Sequence, residues 1–438
     1  MKRIFTVPVA VVLAASLLLV GCGKQNEQNN PSGQSASAEK KKMVLAAVSD
    51  PRSKAILEMI DNKIKTYDPD NKFNVEIQME KYEVEQYKTK LTTLMASNSQ
   101  PDIFYTYEAG FMKPFVEGGK VYPIGDELEK DAEWKNRFQD GVFKPLSFDG
   151  KIYGIPLTKQ LSVMFYNKKL FNEAGIAGAP KTYDEFLEHV DAFKKKNIIP
   201  VSLPSQRAWL AGELMQQLAN GVGGDALYNE ICNGTAKWDD PRFIEAATIF
   251  SELVKKDAFQ KGFLGMSQDE GRDQFKNEKA AMFYTISSDF EALTAQDSPV
   301  GKNLDFFMLP PVKPENGAIN VGSIGNTFAI SMKAKDIPAA AALMKTFSDK
   351  DMQENIAYTA KQFIVTKQNL DETKMDPLAI KFINATSDIK VLTPWFDRIF
   401  GAGEGTEFNN ASVAIAGGKN PAEQMKKLQK FAEDNENR

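Results

Sequence analysis

Among 438 residues the chain has one histidine, His189, and two cysteines, Cys22 and Cys232, so most of its ionisable chemistry rests on 58 Asp and Glu residues. His189 lies in a helical stretch opened by Thr182-Tyr183-Asp184-Glu185, a capping-box pattern, and reads as a solvated or half-buried helix residue. A Ser-His-Asp triad would have to use this one imidazole. A His-rich zinc site is impossible, and Cys232 alone cannot form a thiolate site. Walker A, GxGxxG and GxSxG patterns are absent, and Gly221-Val222-Gly223-Gly224 and Gly401-Ala402-Gly403 lack the required spacing, so both read as loops. No metal or cofactor is expected. Carboxylates remain: two of them facing a cleft would serve as acid and nucleophile in glycoside hydrolysis, but spacing along the chain does not single out such a pair.

The aromatics are more informative. They make up 10% of the chain, and Tyr105, Tyr107, Phe111, Trp209, Tyr284 and Trp395 fall near the ends of expected strands. Flat rings flanked by amides and acids suit sugars, whose axial hydrogens stack on a ring while their hydroxyls need hydrogen-bond partners. Trp209 and Tyr107 stand out, because Ser205, Gln206 and Arg207 precede one while Thr106 and Glu108 flank the other.

The elements that must position these side chains alternate between strand and helix. Met43–Val48 is a short apolar run ending at Asp50-Pro51, an N-cap followed by proline at the first helical position. Ala55, Ile56, Met59, Ile60 and Ile64 then recur at helical spacing. Phe73–Ile77 and Asp102–Tyr105 read as further strands, with a helix through Tyr87, Leu91, Leu94 and Met95 between them. Tyr153–Pro156, Val163–Tyr166, Ala281–Tyr284, Leu304–Phe307 and Phe328–Ser331 are later strand candidates, and the last third is mainly helical. Alternation of this kind predicts an α/β protein with a parallel sheet covered by helices on both faces.

Export is written at the N-terminus. Lys2 and Arg3 precede an uncharged apolar run from Val7 to Val20, too short to span a bilayer, and Gly21-Cys22 closes it. The segment resembles a bacterial lipoprotein signal, which implies removal of residues 1–21 and a lipid on Cys22. Gly23–Lys42 is polar and without periodicity, a leash spanning on average about 25 Å. Loss of Lys2 and Arg3 would take the formal charge from −4 to −6, which argues against a nucleic-acid partner. With Cys22 lipidated, Cys232 has no disulfide partner and is expected to pack as a small buried residue.

Local segments then carry a family resemblance. Pro101-Asp102-Ile103 with Gly118–Ile124, Gly150-Lys151-Ile152-Tyr153-Gly154-Ile155-Pro156, Tyr166-Asn167-Lys168-Lys169-Leu170-Phe171, Pro180–Phe186, Phe275–Met282 and Gly417–Glu423 resemble, in order, the extracellular solute-binding proteins of bacterial ABC importers (the maltose-binding-protein-like group). The resemblance implies a two-lobed, type II periplasmic-binding-protein-like fold, each lobe a mixed or parallel sheet flanked by helices, with a ligand cleft between them. Lobe 1 would hold residues 43–157 plus 326–366, and lobe 2 residues 158–325 plus 367–438. It further implies a monomer that captures a small solute, a carbohydrate above all, by hinge closure and delivers it to an ABC permease. Ligand-facing residues carried over are Tyr105, Tyr107, Glu108, Thr158, Lys159, Gln160, Trp209, Ser287, Ser288, Asp289, Asn326, Glu404 and Glu407. Sugar binders of the family often place a tryptophan after the Ala280–Met282 strand; here the chain reads Thr285-Ile286-Ser287-Ser288-Asp289-Phe290, so one stacking platform is missing. A secreted carboxylate glycosidase, and a sensor or adhesin sharing the fold, are the competing readings.

Overall fold

A computed structural model describes residues 39–436 apart from Ala318, Asp388 and Lys390; the signal segment, Cys22 and most of the leash lie outside the described residues. From Lys40 onward the chain forms one unit that contains more than one apolar core. The first core is built on β1 (Lys41–Ser49), β2 (Val75–Glu83) and β3 (Ile103–Thr106), with β1 parallel to both neighbours. Asp50 caps the turn after β1 as its sequence suggests: its carboxylate accepts from the Arg52 backbone N–H at 2.9 Å, and Pro51 opens the 3-10 turn that leads into the helix Lys54–Thr66.

A small hairpin, β4 (Ser147–Phe148) with β5 (Lys151–Ile152), precedes the crossing into the second core. Tyr153–Pro156, read as a strand, contributes only an isolated bridge from Ile155 to Phe328. The ten-residue β6 (Thr158–Asn167) is the spine of the second sheet and is buried along nearly its whole length, as a strand covered on both faces must be. Around it lie β7 (Ile199–Ser202), β8 (Ala280–Ile286), β9 (Leu304–Phe307) and β10 (Ile319–Gly325). The sheet is mixed: β6 runs antiparallel to β8, β9 and β10, while β7 and β8 are parallel. Thr182 caps the helix Tyr183–Lys195 through the Glu185 N–H at 3.1 Å. Glu185 reaches back to the Lys181 N–H rather than to that of Thr182, so the box closes one residue early.

The chain returns to the first sheet within a single residue. β10 belongs to the second sheet, β11 (Thr327–Ile330) pairs antiparallel with β3 in the first, and Asn326 between them sits at φ +48°. Its amide ties the neighbouring strands together: Nδ2 donates to Thr158 Oγ1 at 3.1 Å and to Gln362 Oε1 at 3.4 Å, while Oδ1 accepts from Ser53 Oγ at 3.1 Å. The short β12 (Phe363–Ile364) then pairs with the start of β6, and β13 (Val391–Thr393) lies parallel to β10. The first core accordingly gathers residues Met43–Leu157 and Ile324–Val365, and most of the remaining buried apolar residues fill the second. Among the described residues, no helix is long and apolar enough to cross a membrane.

Candidate ligand-binding site

The C-terminal ends of β1, β3 and β8 and the start of the helix Trp209–Cys232 face one cavity of about 660 Å³ between the two cores, the usual location for ligands of α/β proteins. The first core contributes Asp50, Arg52, Tyr105, Tyr107 and the threonine-rich face Thr89-Thr92-Thr93; the second contributes Gln160, Trp209, Glu213, Ser288, Arg398, Asn409 and Asn410. Tyr105 and Tyr107 pack edge to face at 5.3 Å, and Tyr107 does the same with Phe111 at 5.2 Å, so one wall is an aromatic ladder. Trp209, half-exposed on the opposite wall, lies under the Arg52 guanidinium at 5.3 Å.

Five of the carried-over residues meet in this cavity: Tyr105, Tyr107, Gln160, Trp209 and Ser288. The others lie elsewhere for identifiable reasons. Glu108 turns inward and is held by Arg398, whose Nη1 donates to Oε1 at 3.0 Å and to Oε2 at 3.2 Å. Asp289 is fully buried against Arg272, whose Nε donates to it at 2.6 Å; Ser287 Oγ accepts from the Leu161 N–H. Thr158 and Asn326 are bonded to each other at the crossing. Lys159 donates to Gln139 and lines a separate cavity of about 730 Å³, formed with Gln362, Phe363 and the helix Pro377–Ser387. Glu404 accepts from Trp238 Nε1 within the second core, and Glu407 accepts from Asn410 at 3.2 Å.

Of the charged cavity residues that were not singled out in the sequence, Arg52, Glu213 and Arg398 have the most informative surroundings; Lys88 and Asp397 also line the cavity. Arg52 donates through Nε and Nη2 to Asp50 at 2.9 and 2.7 Å. Burial alone would raise the Asp50 pKa, but the charge and hydrogen bonds of Arg52 outweigh it and hold the carboxyl well below the usual range. Nη1 of the same guanidinium and the Ser288 hydroxyl are both buried without a hydrogen-bond partner among the described residues. Glu213 stands one turn after Trp209 on the same helical face. Burial, reinforced by Asp397, pushes its carboxyl up to about 8, although Arg398, Ser162 and Arg52 pull the other way. The one readable hint of Glu213 was this i, i+4 spacing from Trp209.

The two remaining residues with distinctive chemistry are outside the cavity. His189 is half-buried on its helix, and Cys232 is half-buried against the second core with its thiol pushed up to about 11 by burial. Trp395 is fully buried, its ring centroid 3.9 Å from the Arg398 guanidinium. Among the described residues, no three His, Cys, Asp or Glu side chains are grouped to hold a metal.

Two sheet-based cores joined by crossing strands, with a polar and aromatic cavity between them, define a two-lobed binding protein. Residues 51–354 match the bacterial extracellular solute-binding protein family, and the chain belongs to it. The chain is 26% identical over 284 residues to the multiple sugar-binding protein of Streptococcus mutans and 25% identical over 279 residues to the diacetylchitobiose binding protein DasA of Streptomyces coelicolor. Each match covers 62% of this chain, and 64% and 62% of those proteins' own lengths. A solved structure from work on xylan utilization by Caldanaerobius polysaccharolyticus superposes with a TM-score of 0.80 at 27% identity, covering 89% of this chain and 99% of that one. A chitin oligosaccharide binding protein superposes at 0.83 and 24% identity, covering 90% of this chain and 99% of that one.

Proposed function

We propose that this protein captures an extracellular saccharide, an oligosaccharide or other sugar, and delivers it to an ABC permease. The observation that carries this reading is the pairing of half-exposed aromatic faces, Tyr107 on one wall and Trp209 on the other, amid threonine, asparagine and glutamine side chains. Such a cavity stacks sugar rings and satisfies their hydroxyls at once. The names of the relatives, multiple sugar-binding and diacetylchitobiose binding, fall in the same ligand class.

In this reading the lobes comprise residues 43–157 with 326–366 and residues 158–325 with 367–438, and they close on a ligand that touches both walls only when shut. That differential contact shifts the population toward the closed form. Capture proceeds without turnover by a monomer, and the N-terminal signal places a lipid on Cys22, so that the polar leash keeps the body beside its permease on the outer face of the membrane. A thermal-shift screen of the chain from Lys40 onward tests the ligand class. A specific saccharide at 100 times its dissociation constant should stabilise the protein by about 2.7 kcal/mol; a flat response across mono- and oligosaccharides would remove the carbohydrate assignment. Unchanged activated glycosides after long incubation are expected if the protein only binds.

A further inference from the structure

The charges at the Trp209 end of the cavity do not balance. Arg52 is committed to Asp50, Arg207 to Glu83, Arg398 to Glu108 and Arg272 to Asp289, while Lys88 lies over the Tyr107 ring on the opposite wall. Two acids are left, Glu213 and Asp397, close enough to repel each other, and neither has an ion-pair partner among the described residues. Asp397 is partly exposed and receives only a 3.5 Å contact from Asn409, whereas Glu213 is buried. The groups that face Glu213 are Asp397 and Arg398 from the short helix Phe396–Ile399, Arg52 from the turn after β1, and Ser162 of β6, whose hydroxyl donates to Oε2 at 3.1 Å. Tyr284 of β8 spends its hydroxyl on the Glu213 carbonyl at 3.2 Å and leaves the carboxyl alone. Two like charges close together are relieved when the more buried one keeps its proton.

Resting on the saccharide reading above, we propose that Glu213 works as a neutral carboxylic acid that donates to the ligand, and that this end of the cavity therefore takes an uncharged saccharide. The neighbouring free groups fit the same role. Arg52 Nη1 is a donor whose guanidinium is already neutralised by Asp50, and the Ser288 hydroxyl is free to donate. Donors without net positive charge suit hydroxyl, ring or carbonyl oxygens. With Glu213 neutral, a uronate would bring a second negative charge beside Asp397, at an end of the cavity where Arg52, Arg207 and Arg398 are already paired with acids and Lys88 lies over Tyr107 on the other wall.

Two measurements test this. Carboxyl-labelled glutamate NMR of the ligand-free protein should show one resonance, absent from Glu213→Gln, that titrates near pH 8; titration of every Glu in the ordinary range near pH 4 would overturn the proposal whatever the ligand proves to be. Calorimetric titration with a neutral saccharide drawn from the thermal-shift screen should show the wild-type Kd rising by up to about tenfold per pH unit above pH 8, with Glu213→Gln losing that pH dependence. The matching uronate-containing saccharide should bind about tenfold or more weakly at pH 7. A wild-type affinity flat from pH 6 to 10, or equal affinity for the uronate, would refute the donor role. If no saccharide binds at all, the saccharide reading fails, while the resonance titration still decides where the proton sits.

Discussion

Removing the Arg398 guanidinium should unmask the cost of burying Glu108. The Glu108 side chain is 1% exposed and that of Arg398 15%, so the pair is largely shielded from water. Arg398 Nη1 contacts both Glu108 oxygens and the Ile324 carbonyl at 3.0 Å, while its plane lies over Trp395. Arg398→Met keeps the apolar stem but strands a buried carboxylate, a change worth about 3–5 kcal/mol. That is a large share of the 5–15 kcal/mol typical of a whole domain. Adding Glu108→Gln removes the charge that needed a partner, so the double variant should recover at least about 2 kcal/mol of the loss. Urea denaturation at pH 7 without sugar measures all four corners of the cycle, provided that the slope m stays constant. A loss below about 1 kcal/mol for Arg398→Met, or strict additivity in the double variant, would mean that Glu108 does not depend on this cation.

Trp209→Ala should weaken saccharide binding by about tenfold or more while costing less than about 2 kcal/mol of stability, because the ring is only half-buried, packing on the margin of the cluster of Ile286, Val321 and Trp395 and under the Arg52 cation; calorimetry and urea denaturation read the two effects separately. Gly110→Ala should impede approach of the lobes, since an added Cβ would lie 2.0 Å from the Ile399 carbonyl oxygen and 2.9 Å from the Gly401 nitrogen; small-angle scattering should show a smaller ligand-induced contraction than in the wild type. Asn326→Val should cost about 1–3 kcal/mol from its positive φ in addition to its lost hydrogen bonds, and Asn326→Gly should cost less, as urea denaturation would show.

Local features were readable wherever a local rule governs them. Asp50-Pro51 announces a capped turn, Thr182 announces a helix start, and the fully apolar Ala280–Tyr284 run announces a buried strand. The two-lobed fold followed from short segments in family order, and the aromatic residues Tyr107 and Trp209 stood out by their polar flanks. The family resemblance placed Glu108 in a ligand-facing loop, yet its partner lies 290 residues away and only the fold brings the two together. Glu404 likewise faces Trp238 across 166 residues. Arg52 and Arg398 were silent because a guanidinium at a strand or helix end is commonplace; each gains meaning only from the acid packed against it. Tyr153–Pro156 failed as a strand because it meets the sheet at Ile155 alone.

The central claim, capture of a saccharide between two walls, is tested most directly by a crystal structure of the chain from Lys40 onward with a neutral oligosaccharide bound. The account predicts the sugar in the 660 Å³ cavity, touching Tyr107 on one lobe and both Trp209 and Glu213 on the other. A sugar seated instead in the cavity beside Lys159 and Phe363, or bound with Trp209 untouched, would contradict it.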